Sequence, residues 1–370
     1  MSRSESSAPA GRVPYSGLWL DDFSLVPVPG GALLAGGGTW QRDGLGAVPQ
    51  VSDGVAFWDS TTQDWLELPP LPHPRQSHAA VALPDGRVML IGGRDLQVPE
   101  LGSTLLWEPG TQRFREGPPL LKARSHPIAV ALADGAVLVL GSDFDDDLER
   151  GTRVELLRPE ASTWELAGQT VRIFHPGPVC VSGNRVVIAG GRDNGFGFAI
   201  VDGVHHAPPL DQMTELWDRD TRAWKMAGAL TQSRDGALGV TLKDGRVLVV
   251  GGWDKGQVLA TAEVWNPRTE SWSPAGELAL PRSGFALTAL SDGRAAVSGG
   301  LVDSALGSAE TETVELWDPT RGQWSPGPSF ARSRSGHQLV EVGAGTFLVV
   351  GNTRLPDGGL ETTWETWRPG

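Results

Sequence analysis

Cysteine and tyrosine each occur once in this chain of 370 residues, as Cys180 and Tyr15. A lone cysteine excludes an intrachain disulfide and the paired C-x-x-C spacing of zinc ribbons and redox motifs. No run approaches the roughly 18 apolar residues that a membrane-spanning helix needs, and the opening MSRSESSAPAG has no apolar stretch of a secretion signal. Positive charge is short as well: Lys+Arg 31 against Asp+Glu 44 leaves a net −13. That balance disfavours nucleic acid and anionic membrane as partners, because both require a positive field. These absences lead to the expectation of a soluble, cytoplasmic monomer with no cofactor.

What is abundant is Gly 49, Pro 28 and Trp 15. So many helix breakers disfavour a helical bundle. An aromatic that recurs with Gly and Pro points to an all-β chain built from a small repeated unit. The unit is visible directly. An apolar run ends in Gly-Gly or a near equivalent at Gly36-Gly37, Gly92-Gly93, Gly141-Ser142, Gly190-Gly191, Gly251-Gly252, Gly299-Gly300 and Gly351-Asn352. Asp85-Gly86, Asp134-Gly135, Asp244-Gly245 and Asp292-Gly293 precede four of these and predict type I′ hairpins between two strands. A third strand then ends in an aromatic, followed seven residues on by another: Trp58 and Trp65, Trp107 and Phe114, Trp217 and Trp224, Trp265 and Trp272, Trp317 and Trp324. Leu157 and Trp164 keep the spacing with Leu in the first place. Each unit is therefore expected to be four short strands.

The double glycine closing the second strand and the later aromatic pair around a turn resemble the kelch repeat, over nearly the whole chain. The resemblance implies a β-propeller, in which each blade covers the faces of its neighbours. The fold class expected is all-β, a seven-bladed kelch-type β-propeller, with six blades as the alternative if the Gly30–Trp65 unit is irregular. A single domain over 1–370 follows, with blades near 15–70, 71–120, 121–168, 169–230, 231–278, 279–330 and 331–370. The last unit lacks a fourth strand, so residues 1–14 are expected to supply it and close the ring. Kelch copper-radical oxidases use two tyrosines, one joined to Cys, which a chain with Tyr15 alone does not provide. In plant kelch proteins that hold iron through Glu-x-x-x-Asp-x-x-x-His, the matching places here are Phe198, Asp202 and His206, without the Glu.

Candidate functional residues follow from position in the unit. Arg75, Arg124, Arg234, Arg282 and Arg334 stand just before the first strand of their units, with Arg172 one residue out of register. The first strand of a propeller blade is innermost, so these arginines are expected around one mouth of the central channel, where guanidinium forks suit carboxylate or phosphate. The same mouth receives the loops between second and third strands, which bring Trp40, Trp253, His205 and His206; the two histidines are the candidate acid/base groups. Asp143, Asp145 and Asp147 in one such loop are candidate ligands for a hard cation, although the pattern of an EF-hand is missing. The recurring Glu215, Glu263, Glu315 and Glu365 are expected to make structural pairs, with Arg87, Arg246 or Arg294 as partners. No Gly-x-Ser-x-Gly elbow, Walker loop, His-Glu-x-x-His or dinucleotide fingerprint occurs. The expected function is a module that binds an acidic peptide, a protein segment or a small anionic ligand at the mouth; the alternative is a cofactor-free isomerase, epimerase or cyclase with its active site there.

Overall fold

The computed structural model describes residues 11–15, 19–43, 46–141, 152–170, 177–191, 200–201, 204–205, 212–304, 307–343, 345–355 and 358–370. Among them there is no α-helix, and seven antiparallel sheets have four strands each. Blade 1 spans 24–67, blade 2 79–116, blade 3 128–169, blade 4 179–227, blade 5 238–277, blade 6 286–327 and blade 7 338–367. The 24–67 unit is a regular four-stranded sheet. First strands of successive blades touch in chain order, and that of blade 7 returns to blade 1. The fourth strand of blade 7 is Gly11–Arg12, with Gly11 opposite Trp364 and Arg12 opposite Thr363. The first stretch of chain thus closes onto the last.

The strands form where the pattern demands them. In blade 5 the second strand, Val247–Val250, is fully buried, because both faces of a middle strand are covered by adjoining blades. A continuous β-branched and aliphatic run suits such a strand. The turn before it is a correction to the type I′ expectation. Gly245 donates its N–H to Leu242 O, Leu242 donates to Arg246 O, and only the glycine has positive φ, at 83°. This is a type I turn with a left-handed glycine bulge. Asp244 is held outside the left-handed region because its Oδ1 accepts the Arg246 N–H at 3.0 Å, an arrangement repeated by Asp85, Asp134 and Asp292.

Seven buried clusters occupy the seven junctions between blades. At six of them the third-strand tryptophan of one blade is wedged against the blade before it: Trp58, Trp107, Trp217, Trp265, Trp317 and Trp367. An indole there fills the widening gap between radially splayed sheets, and truncation to Ala would cost about 3–5 kcal/mol. At the seventh junction, between blades 2 and 3, Leu157 stands in the Trp place, with Trp164 drawn into the cluster.

Deletion of residues 1–13 removes the closing strand and Val13, which is buried among residues of blades 1 and 7. A loss of about 2 kcal/mol or more is expected from that burial alone, read as a lower and broader thermal transition by circular dichroism. An unchanged transition would show that the ring does not depend on this closure.

Candidate functional site

Among the described residues, the arginines that precede a first strand lie beneath the mouth rather than on its surface. Arg75, Arg124, Arg234, Arg282 and Arg334 are at most 2% exposed. Arg75 shows the arrangement: its carbonyl accepts the N–H of Gly37 in blade 1, and its guanidinium donates to Gly92 O in blade 2. Arg124 repeats this between Gly93 and Gly141. One residue therefore fastens the double-glycine corners of two successive blades. The approach is close enough that a Cβ on Gly92 would fall 2.7 Å from Arg124 O, so glycine is required there.

Glu263, Glu315 and Glu365, with Glu155 in blade 3, are structural partners, as the repeat suggested, but their arginines are these and not the second-strand ones. Arg124 pairs with Glu155 at 3.0 Å, Arg234 with Glu263 at 3.0 Å, Arg282 with Glu315 at 2.7 Å and Arg334 with Glu365 at 2.6 Å. The second oxygen of Glu263, Glu315 and Glu365 accepts a backbone N–H from the loop entering the blade: Thr231, Ala279 and Ala331. Arg87, Arg246 and Arg294 instead bond the hairpin aspartates Asp85, Asp244 and Asp292. The buried carboxylate thus meets the buried guanidinium that starts its blade, whereas the second-strand arginines are partly exposed at the hairpin turns. Burial lowers the pKa of Arg234, Arg282 and Arg334, and the glutamate charge opposes it. Arg75 has Leu105 where the others have Glu; it bonds Ser103 O and Oγ, and burial lowers its pKa to about 10.

The surface above these arginines is built by added hairpins. Gly38–Asp43 pairs with Gly46–Val51 and with Leu20–Asp21, Trp253–Asp254 pairs with Gln257–Val258, and Leu301–Ser304 pairs with Gly307–Glu310. Trp40 stacks on Trp19, centroids 5.4 Å apart and planes at 24°, and its Nε1 makes a long 3.4 Å hydrogen bond to Asp21 Oδ2. Burial raises the pKa of Asp21, with the Trp40 N–H acting in the opposite sense. Trp253 is 42% exposed. Trp40 and Trp253 belong to blades 1 and 5, so they are not brought side by side. His205 lies in the short strand Val204–His205, paired with Ile200–Val201, and its side chain is outside the described residues. Arg172, Phe198, Asp202, His206, Asp143, Asp145 and Asp147 also fall outside them.

Sequence reasoning missed two features of this face. Asp22, Ser77 and His126 have positive φ of 47°, 53° and 47° at the place where blades 5 to 7 have Gly236, Gly284 and Gly336. The Ser77 N–H donates to Asp22 O and the His126 N–H to Ser77 O, so blades 1 to 3 place side chains on the inner rim in a backbone state that costs of order 1 kcal/mol each. In addition His78 and His337, three residues after Arg75 and Arg334, hydrogen-bond Ser24 Oγ at 2.6 Å and Ser298 Oγ at 2.9 Å. The Arg-x-x-His spacing was the available signal. Burial and the neighbouring arginine push both histidines down to about 3, so they are neutral at pH 7 and poor bases.

A closed ring of four-stranded antiparallel blades defines a β-propeller. Residues 237–279, blade 5 with its flanks, match the Kelch motif, which supports a kelch-type repeat in this propeller. Among solved structures it is similar to a fungal alcohol oxidase of the AA5 family in complex with copper, at TM-score 0.73 and 17% identity over 98% of this chain and 76% of that one. At that identity the likeness concerns the fold. No curated protein matches the chain in sequence. The residues present do not fit a copper-radical centre of two tyrosines with a Tyr–Cys link. Tyr15 packs at the junction of blades 7 and 1, whereas Cys180 is buried between blades 4 and 5 with its thiol pushed up to about 12. Among the described residues no helix is long and apolar enough to cross a membrane.

Arg234→Ala leaves Glu263 buried without its cation and is expected to cost about 3–5 kcal/mol, measured by urea unfolding. A loss under 1 kcal/mol would remove the clamp from its structural role. The histidines add a pH term. An unfolded histidine takes up its proton near 6.5 and His337 in the fold only near 3, so stability falls as pH drops through that window. His337→Gln is expected to flatten the acid side of the stability curve by up to one proton.

Proposed function

We propose that the chain is a binding module whose recognition face is the hairpin-bearing mouth. The observation that carries this reading is the asymmetry of the two ends. One end consists of tight turns; the other has second-to-third-strand loops grown into hairpins that present Trp40 against Trp19, and Trp253 in the open. Aromatic side chains held on rigid hairpins offer large contact area at low entropic cost. The strained rim residues Asp22, Ser77 and His126 on the same face support it, since such strain tends to mark sites where side chains are used.

An acidic peptide or small anion was expected from the arginines. The charges of Arg75, Arg124, Arg234, Arg282 and Arg334 lie below the surface, four of them neutralised by glutamates, so among the described residues support for that ligand class rests on other cations, such as the half-buried Arg94 and the exposed Lys255 and Arg354. In this reading the arginines are pillars that hold the face, and the contacts come from Trp19, Trp40, Trp253 and their polar neighbours. For the enzyme alternative the nearest arrangement is Ser24 with His78, and a histidine held neutral down to about 3 does not activate a hydroxyl.

Native mass spectrometry of the purified chain beside Trp40→Ala/Trp253→Ala tests the reading. A co-purifying ligand or partner is expected on the parent chain and absent from the double variant, with thermal stability reduced by no more than a few degrees. Equal retention by both would place recognition elsewhere.

A further inference from the structure

Where the mouth meets the junction of blades 1 and 2, four half-buried side chains gather around one glycine: Asp21, Trp40, Gln76 and Arg94. Asp21 lies opposite Gly38 in the added sheet, and a Cβ on Gly38 would meet both Asp21 Oδ1 and Gln76 Oε1, so the two side chains stand over it. Gln76 and Arg94 are bridged, each backbone N–H donating to the other's carbonyl at 3.0 Å, which sets their side chains on one face. Trp40 joins through the bond of its Nε1 to Asp21 Oδ2. Opposite charges meet here without cancelling. Arg94 is near enough for its charge to oppose the burial that raises the pKa of Asp21. Yet among the described residues the two form no ion pair, and Arg94 Nε is buried without a hydrogen-bond partner. Asp22 adds a second carboxylate beside them, exposed and bonded to Ser77 Oγ at 2.7 Å.

We propose that this cluster binds a small zwitterion of the betaine type, a methylated ammonium joined to a carboxylate, with the ammonium at Trp40 and Asp21 and the carboxylate at Arg94. The inference rests on the recognition face proposed above and names its ligand class. A guanidinium with no carboxylate of its own suits a carboxylate from a ligand, which its fork can grip with two hydrogen bonds. Asp21 and Asp22 oppose a lone anion at that place, and Arg94 opposes a lone cation. A neutral polyol leaves both charges without an opposite, whereas a zwitterion meets each group with the complementary sign. The indole selects the kind of cation. Trp40 has spent its N–H on Asp21 and stacks on Trp19, so what it offers a ligand is a ring face, which attracts a cation. Methyl groups suit that face, because an ammonium with N–H donors would lose hydrogen bonds to water against a ring that accepts them poorly.

The test is titration calorimetry of the full chain with glycine betaine, using tetramethylammonium and acetate as its two halves. Glycine betaine is expected to bind with a dissociation constant on the order of 1 mM, and each half about tenfold more weakly or worse, since it meets only one of the two charges. Arg94→Gln removes one charge-assisted pair and is expected to weaken betaine binding about tenfold with little change in melting temperature. Trp40→Ala is expected to weaken it severalfold. Absence of betaine binding to the parent chain, either half binding as tightly as betaine, or undiminished binding to folded Arg94→Gln overturns the proposal. If Arg94→Gln does not fold, Trp40→Ala decides: unchanged affinity overturns it, and a severalfold loss supports it. Failure of betaine to bind, beside a co-purifying ligand that depends on Trp40 and Trp253, overturns the ligand class and leaves the recognition face standing; equal retention of that ligand by the double variant withdraws the face itself.

Discussion

The arginine that begins a blade is the constraint on which the ring depends. Its main chain is bonded to the double glycine of the preceding blade, and its side chain to the double glycine of its own, as Arg75 and Arg124 show. Neighbouring sheets in a propeller share no strand ladder, so something other than sheet hydrogen bonding must set their spacing. A buried guanidinium can do this because its planar fork offers several donors at fixed angles. Its charge would be prohibitive in that setting without compensation, and in blades 3, 5, 6 and 7 a glutamate on the third strand provides it.

The tryptophan wedges complement this clamp. The arginines fix the corners at the mouth end, whereas the indoles fill the space between sheets further out, so the polar and apolar parts of each junction act at different radii. The blade 2 and 3 junction departs from both rules: Arg75 at the start of blade 2 lacks a carboxylate, and Leu157 lacks an indole. That arc is also where Ser77 and His126 hold strained backbone at the rim. The irregular part of the ring is the part where the repeat has been relaxed.

The repeat was legible because its marks answer local demands. Gly-Gly is needed where a carbonyl of the next blade comes within contact, and the aromatic pair recurs because each junction has the same shape. Closure by the N-terminal strand was legible because the last unit was one strand short. The hairpin type was misread, since an Asp-Gly pair fits both a type I′ turn and a type I turn with a glycine bulge, and the Asp side-chain bond to the backbone decides between them. The repeat placed the arginines at the start of their blades, but the depth of Arg75, Arg124, Arg234, Arg282 and Arg334 was not visible. Sequence spacing locates a residue along its strand and says nothing of which groups are stacked above it.

By itself, the sequence determined the all-β repeat, the Gly and Trp places within it and the segment that closes the ring, because periodicity of 2 within strands and of the unit along the chain is a one-dimensional property. Only the tertiary structure decided that Glu263 belongs to Arg234 rather than to Arg246, that four of the arginine charges are neutralised below the surface, and that Trp164 is drawn into the junction where Leu157 stands. Those outcomes arise from residues of different blades meeting in space. Burial and charge pairing are properties of that meeting, and they reassign a row of arginines from the ligand to the fold.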